Sequence, residues 1–134
     1  TMLRLARERE ELSVVADQIG APTSAELLAD VTAHAVRAAL QGKLDSGLYH
    51  LAAAGETSWH GYASFVVAEA RRLGAELRLA PERIKAIPTE QYPLPAPRPK
   101  NSRLDCERIR HAFDLDLPDW RWHVRRTLME LLKP

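Results

Sequence analysis

Five prolines crowded into one short stretch (Pro88, Pro93, Pro95, Pro97 and Pro99) constrain this chain more than any other feature. Each lacks a backbone N–H and fixes φ, so neither a helix nor a central strand can run through the stretch. It must be a stiff, extended loop reaching to about Lys100, and loops of that length inside a compact domain are usually functional or disordered. Regular structure is left to the segments on either side. With 134 residues, 46% of them hydrophobic and 28% charged, the chain has enough apolar material for one domain with a real core.

Periodicity fills in those segments. TMLRLAREREEL reads as a helix, with Met2, Leu3, Leu5 and Ala6 on its apolar side and Arg7 to Glu11 solvated. Leu12 to Asp17 reads as a β-branched strand ended by Gly20 and Pro22. Thr23 opens Thr-Ser-Ala-Glu, a capping box in which Glu26 reaches back. Behind it Leu27, Leu28, Val31, Ala35, Val36, Ala39 and Leu40 form an apolar face, and Gly42 stops the helix. GLYHLAA, from Gly47, is expected to be a strand buried on both faces. Thr57 or Ser58 caps a helix carrying Tyr62, Phe65, Val66, Ala70 and Leu73, closed by Gly74. Ile84 to Ile87 suits a short strand.

Past the prolines, Asp105 caps a short helix with Ile109 and Phe113. Asp119 caps a last one with Trp120, Val124, Leu128, Leu131 and Leu132 inward. The fold class is therefore α+β, helix-dominated with a few short strands. Trp120 belongs to the core, Trp59 to core or edge packing, and Trp122 is offset toward solvent. The first residue is Thr1 and no start signal precedes the first helix, so residues 1–134 are expected to be a single-domain fragment of a longer protein.

Charge and motifs exclude several functions. Lys and Arg total 19 against 18 Asp and Glu, a balance with no electrostatic footprint for nucleic acid or an anionic membrane. The apolar runs are too short to span a bilayer, and no basic-then-apolar leader opens the sequence. The lone Cys106 cannot pair internally, which suits a reducing cytoplasm, and its neighbours Asp105 and Glu107 oppose thiolate formation. The six glycines never fall in a GxGxxG or P-loop spacing. No tyrosine is followed four residues on by lysine, and the five histidines show no metal-ligand spacing. No catalytic residue is assigned.

Four segments, in order, carry a resemblance: VVADQIGAPTSAELLAD, GLYHLAAAGETSWHGYA, IPTEQYPLPAPRPKNSRLD and LPDWRWHVRRTLMELL. Together they resemble the C-terminal, substrate-binding part of bacterial dTDP-4-dehydrorhamnose reductase, an extended short-chain dehydrogenase/reductase. The strings DQxGAPT and RPxNSRLD are the most specific. The resemblance implies a Rossmann-type α/β parent whose N-terminal half, absent here, holds NADPH and the Tyr-x-x-x-Lys pair. That parent reduces dTDP-4-dehydro-β-L-rhamnose to dTDP-L-rhamnose in the cytoplasm, feeding cell-wall and lipopolysaccharide glycans. The expected partners are the dTDP-sugar, the chain's own Rossmann half and a second copy in a homodimer. The fragment alone is expected to be inactive. The alternative is a non-catalytic binding subunit on the same scaffold, like the regulatory subunit of methionine adenosyltransferase.

Within that frame, Arg98 and Arg103 are the expected substrate contacts. A guanidinium suits a bidentate grip on diphosphate, and Pro97 and Pro99 lower the cost of presenting it. Asn101 and Ser102 are candidates for sugar or phosphate, or else they cap the turn before Asp105. Asp17, Gln18, Pro22 and Thr23 form a strand-to-helix loop, in which Gln18 and Thr23 either meet ligand or satisfy turn and cap amides. The resemblance further implies Glu26 and Glu130 as ligands to a Mg²⁺ at a dimer interface in some members. Without a third carboxylate they read equally as a cap residue and a surface residue.

Overall fold

The computed structural model describes residues 1–133. Its α-helices and strands are α1 (Met2–Glu8), β1 (Leu12–Val15), β2 (Ile19–Gly20), α2 (Ala25–Leu40), β3 (Thr57–Ser58), α3 (Trp59–Arg72), β4 (Ile84–Ile87), α4 (Glu107–Phe113) and α5 (Trp120–Leu131), with single 3₁₀ turns at Pro81–Arg83 and, inside the proline stretch, at Thr89–Gln91. The expected α+β class, dominated by helices, is what is found. Two separate two-stranded ladders serve it. β1 pairs parallel with β4, from Leu12 opposite Ile84 to Val15 opposite Ile87, and β2 pairs antiparallel with β3.

The spine is α3, which packs on α1, α5, β1 and β4. Ala63 and Ala70 are wholly buried on it, and such small side chains let neighbouring backbones come close. On one side Ala6, Leu12, Val67, Leu79 and Ile84 close a core, with Leu79 wholly buried. Burying a leucine fully is worth roughly 1.5–3 kcal/mol. On the other side Leu27, Val31, Ala53 and Ile109 gather round Trp120. Val66, Ala70 and Leu128 join the two.

Four expectations are corrected. The cap of α2 is Ser24, whose hydroxyl accepts from Leu27 N–H at 3.2 Å, so Thr23 and Glu26 do not form a capping box. Thr23 is engaged elsewhere: its hydroxyl donates to Ala21 O (2.9 Å) and accepts from Ala53 N–H (3.1 Å). GLYHLAA is not a strand. Its last two backbone donors go to side chains, Ala52 N–H to Cys106 Sγ and Ala53 N–H to Thr23 Oγ1, and only Ala54, just beyond it, makes an isolated bridge, to Asp119. With those amides spent in this way, the segment joins no ladder. The α2 face is only half used, since Leu27 and Val31 are buried but Leu28, Val36 and Leu40 are exposed, as is Leu131 on α5. Cys106 itself precedes α4 as its N-cap, while Asp105 Oδ1 accepts from Glu107 N–H at 2.9 Å.

The remaining caps follow the sequence. Ser58 accepts from Gly61 N–H to start α3, and Asp119 accepts from Arg121 N–H to start α5. Trp120 is buried, while Trp122 and Trp59 are both more than half exposed. Trp59 therefore lies outside the core and meets Tyr62 edge-on.

Candidate ligand site

The proline loop is held at both ends by three consecutive residues. At its entry, Thr89 N–H and Thr89 Oγ1 both donate to Asp17 Oδ1, at 2.9 and 2.6 Å, and Gln18 Nε2 donates to Thr89 Oγ1 at 3.2 Å. At its exit, Ile19 N–H donates to Lys100 O (2.9 Å) and Ser102 N–H donates to Ile19 O (2.8 Å). Lys100 Nζ then lies 2.9 Å from Asp17 Oδ2 and 3.0 Å from Glu90 Oε1, bridging entry and exit directly.

This concentration of donors holds the Asp17 carboxyl down at about 2, first through Thr89 Oγ1 and then through Lys100. Asp17 in turn raises the Lys100 ammonium above the ordinary lysine range. Between these fixed ends residues 91–100 are exposed throughout.

Beside the loop exit lies a groove of about 470 Å³ between residues 52–56 and 103–107. Ala52, Ala53 and Ala54 form its small-residue floor beside Ala21, Leu104 and Leu117, while Glu56, Asp105, Glu107 and Asp116 bring four acidic residues to its lining. Thr23 fixes the floor, since one hydroxyl binds both Ala21 O and Ala53 N–H. Gly55 completes it at φ +78°, a left-handed conformation that suits glycine. A Cβ there would lie 2.7 Å from Asp119 Oδ2, on the cap of α5, so that carboxylate would have to shift to admit one.

The named candidates occupy distinct positions. Arg103 lines the groove, donates to Glu56 Oε2 at 2.8 Å, and takes Asn101 Oδ1 on both its Nε and its backbone N–H. Asn101 is thus spent on orienting Arg103. Ser102 sits at the loop exit with its Cβ facing Gly20, whose own Cβ would stand 3.7 Å from it. Arg98 stands exposed on the loop, and among the described residues it is the loop cation without an ion-pair partner. Gln18 and Thr23 serve the loop and the groove floor respectively.

Glu26 and Glu130 both feel Arg126. Arg126 Nε donates to Glu130 Oε1 at 3.3 Å. The Glu26 carboxyl is lowered first by its own backbone amide and then by Ser24, with Arg126 adding to the effect. Among the described residues no three His, Cys, Asp or Glu side chains converge to hold a metal ion. The two glutamates thus share an arginine and do not by themselves fit a dication site.

Sequence reasoning missed Thr89 and Lys100 as partners of Asp17 and Glu90 as the second partner of Lys100, and it missed Gly55 and Glu56. Seventy-one residues separate Gln18 from Thr89, and no local pattern announces such a contact.

The chain is thus a two-ladder lobe built on α3, with a groove beside a clamped loop that carries Arg98. The model of the RmlD substrate binding domain matches residues 1–133. The dTDP-4-dehydrorhamnose reductase of Shigella flexneri is 57% identical over 131 residues, covering 98% of this chain and 43% of that protein. Its counterpart from Escherichia coli K12 is 56% identical over the same shares. A crystal structure of dTDP-4-dehydrorhamnose reductase from Bacillus anthracis, in complex with NADP, superposes with a TM-score of 0.78 at 30% identity, covering 96% of this chain and 41% of that one. The chain belongs to the RmlD substrate binding domain family, and it spans less than half the length of these relatives.

Proposed function

We propose that this chain is the sugar-nucleotide-binding lobe of an NADPH-dependent dTDP-4-dehydrorhamnose reductase, completed by an N-terminal Rossmann half. The observation that carries it is the 57% identity to a reductase so named, running through the clamped loop and the groove. In the reaction a hydride passes from NADPH to the C4 carbonyl carbon of dTDP-4-dehydro-β-L-rhamnose, and a proton goes to the carbonyl oxygen. NADPH supplies the hydride when bound by the other half, and the proton comes from an acid there. This sequence contains neither the glycine-rich turn nor a Tyr-x-x-x-Lys pair.

The chain's own contribution is binding, orientation and exclusion of water. Arg98, which pairs with no carboxylate among the described residues, takes the diphosphate in a bidentate grip. Arg103, aimed by Asn101 and neutralised in part by Glu56, borders the groove where the rest of the nucleotide-sugar lies. Ser102 offers a hydroxyl at the loop exit. Gln18 and Thr23 act by holding the loop and the groove floor. A homodimer, with a magnesium ion reaching Glu26 and Glu130, would require a further carboxylate and displacement of Arg126 from Glu130. In this reading the protein works in the cytoplasm. Among the described residues no helix is long and apolar enough to cross a membrane.

The test is NADPH oxidation by the full reading frame supplied with the 4-keto dTDP-sugar. Turnover is expected. A folded protein that binds NADPH and turns nothing over contradicts the reductase and favours a non-catalytic binding subunit on the same scaffold.

A further inference from the structure

We infer that Asp17 and Lys100 are positioning residues for the diphosphate grip, acting through Arg98 by fixing both ends of the proline loop. The inference rests on the reading of that loop as a ligand arm. Residues 90–100 leave the body of the protein after Thr89 and return to it at the Ile19–Asn101 bridge. Both anchor points lie on residues 17–19. Asp17 serves each end with a different oxygen: Oδ1 takes Thr89, and Oδ2 faces Lys100. Lys100 also reaches Glu90, so entry and exit are tied across the mouth of the loop.

The prolines make this base consequential. Pro93, Pro95, Pro97 and Pro99 restrict φ along the arm, so it moves more as a stiff piece than as a flexible chain. Where a stiff arm points is set by its ends. Arg98 is separated from Lys100 by Pro99 alone, the shortest and stiffest route from clamp to guanidinium. Lys100 is itself committed to two carboxylates, and its distances suit holding the base better than meeting a ligand. Each exposed ion pair contributes little alone, but the carboxylate, the ammonium and two main-chain bonds act on one hinge. Preorganising the arm lowers the ordering cost of binding without touching the reacting carbonyl. The effect should therefore fall on sugar-nucleotide KM and leave kcat alone.

The experiment uses the full-length enzyme with Lys100→Met, Lys100→Arg, Asp17→Asn, Arg98→Ala and the Lys100→Met/Arg98→Ala double variant. Lys100→Met and Asp17→Asn are expected to raise the sugar-nucleotide KM about two- to fivefold, with kcat and NADPH KM unchanged. Lys100→Arg restores most of the loss, and the double variant is no worse than Arg98→Ala. If Arg98→Ala raises KM while Lys100→Met and Asp17→Asn do not, the clamp is overturned and the ligand arm stands. Additive losses in the double variant, or equal losses in both substrates' KM and in kcat, also overturn it. If Arg98→Ala leaves KM unchanged, the loop is no ligand arm, and the clamp's role in binding falls with it.

Discussion

Arg125 Nε donates to Glu69 Oε1 at 3.2 Å, so a carboxylate buried on α3 holds a guanidinium of α5. The same oxygen takes Arg72 Nη2 at 2.6 Å, one turn further along α3. Glu69 is 6% exposed, whereas both arginines keep much of their side chains in water. Hydrogen bonds to a charged group are worth about 1.5–3 kcal/mol, so Glu69→Ala should cost that much in urea unfolding. The corresponding Arg72→Ala should cost less, because Arg125 still satisfies the carboxylate.

The same pair gives a pH signature. Arg72, and after it Arg125, hold the Glu69 carboxyl below the ordinary glutamate range. A carboxyl lowered on folding contributes stability above its unfolded value, and loses it as pH falls through the folded one. Asp17, held at about 2, behaves likewise, losing its contribution between roughly pH 4 and pH 2. Thermal unfolding across that range should therefore show a shallower acid limb for Glu69→Gln and for Asp17→Asn than for the native protein.

Trp120 and Trp122 are two residues apart and should behave oppositely. Trp120 is 1% exposed amid Phe65, Tyr62 and the second core cluster, so Trp120→Ala should cost about 3–5 kcal/mol. Trp122 is 52% exposed, and Trp122→Ala should change stability by no more than about 0.5 kcal/mol. Equal losses in the two variants would show that α5 is rotated from the orientation described.

Much of this fold was legible in the sequence, and the exceptions have physical causes. Periodicity located α1, α3, β1 and β4, and Ser58 and Asp119 were readable as caps because capping is local. Thr23 was not separable from Ser24, since both hydroxyls stand before the same helix. Only the long-range claim of Ala53 N–H on Thr23 decides between them. GLYHLAA looked like a buried strand because an apolar run does not say where its amides go. The α2 apolar stripe is wider than the face the described chain covers. In the site, residue type marked Arg98 and Arg103 as cations on a stiff loop. The loop's anchors on Asp17 and Lys100 arise from contacts across the whole chain.

The cap assignment has its own test. Ser24→Ala should cost about 1 kcal/mol by freeing the first turn of α2. Thr23→Val should leave α2 in place but release Ala53 N–H and the groove floor. Amide exchange read residue by residue separates the two: loss of protection at Leu27 in the first variant, at Ala53 in the second.

Gly55→Ala should damage the groove more than a methyl group suggests, because the new carbon meets the Asp119 cap at a φ that only glycine adopts easily. A cost above about 1 kcal/mol, with a weakened start to α5, is the expected outcome. A neutral Gly55→Ala would mean that the approach of residue 55 to α5 is looser than described.

The most direct test of the account is the steady-state comparison of the full-length enzyme with Arg98→Ala, varying the 4-keto dTDP-sugar at saturating NADPH. The account predicts a sugar-nucleotide KM raised about tenfold or more with kcat nearly unchanged, the mark of lost ground-state binding. An unchanged KM, or a loss confined to kcat, would contradict the assignment of this lobe's loop to the diphosphate.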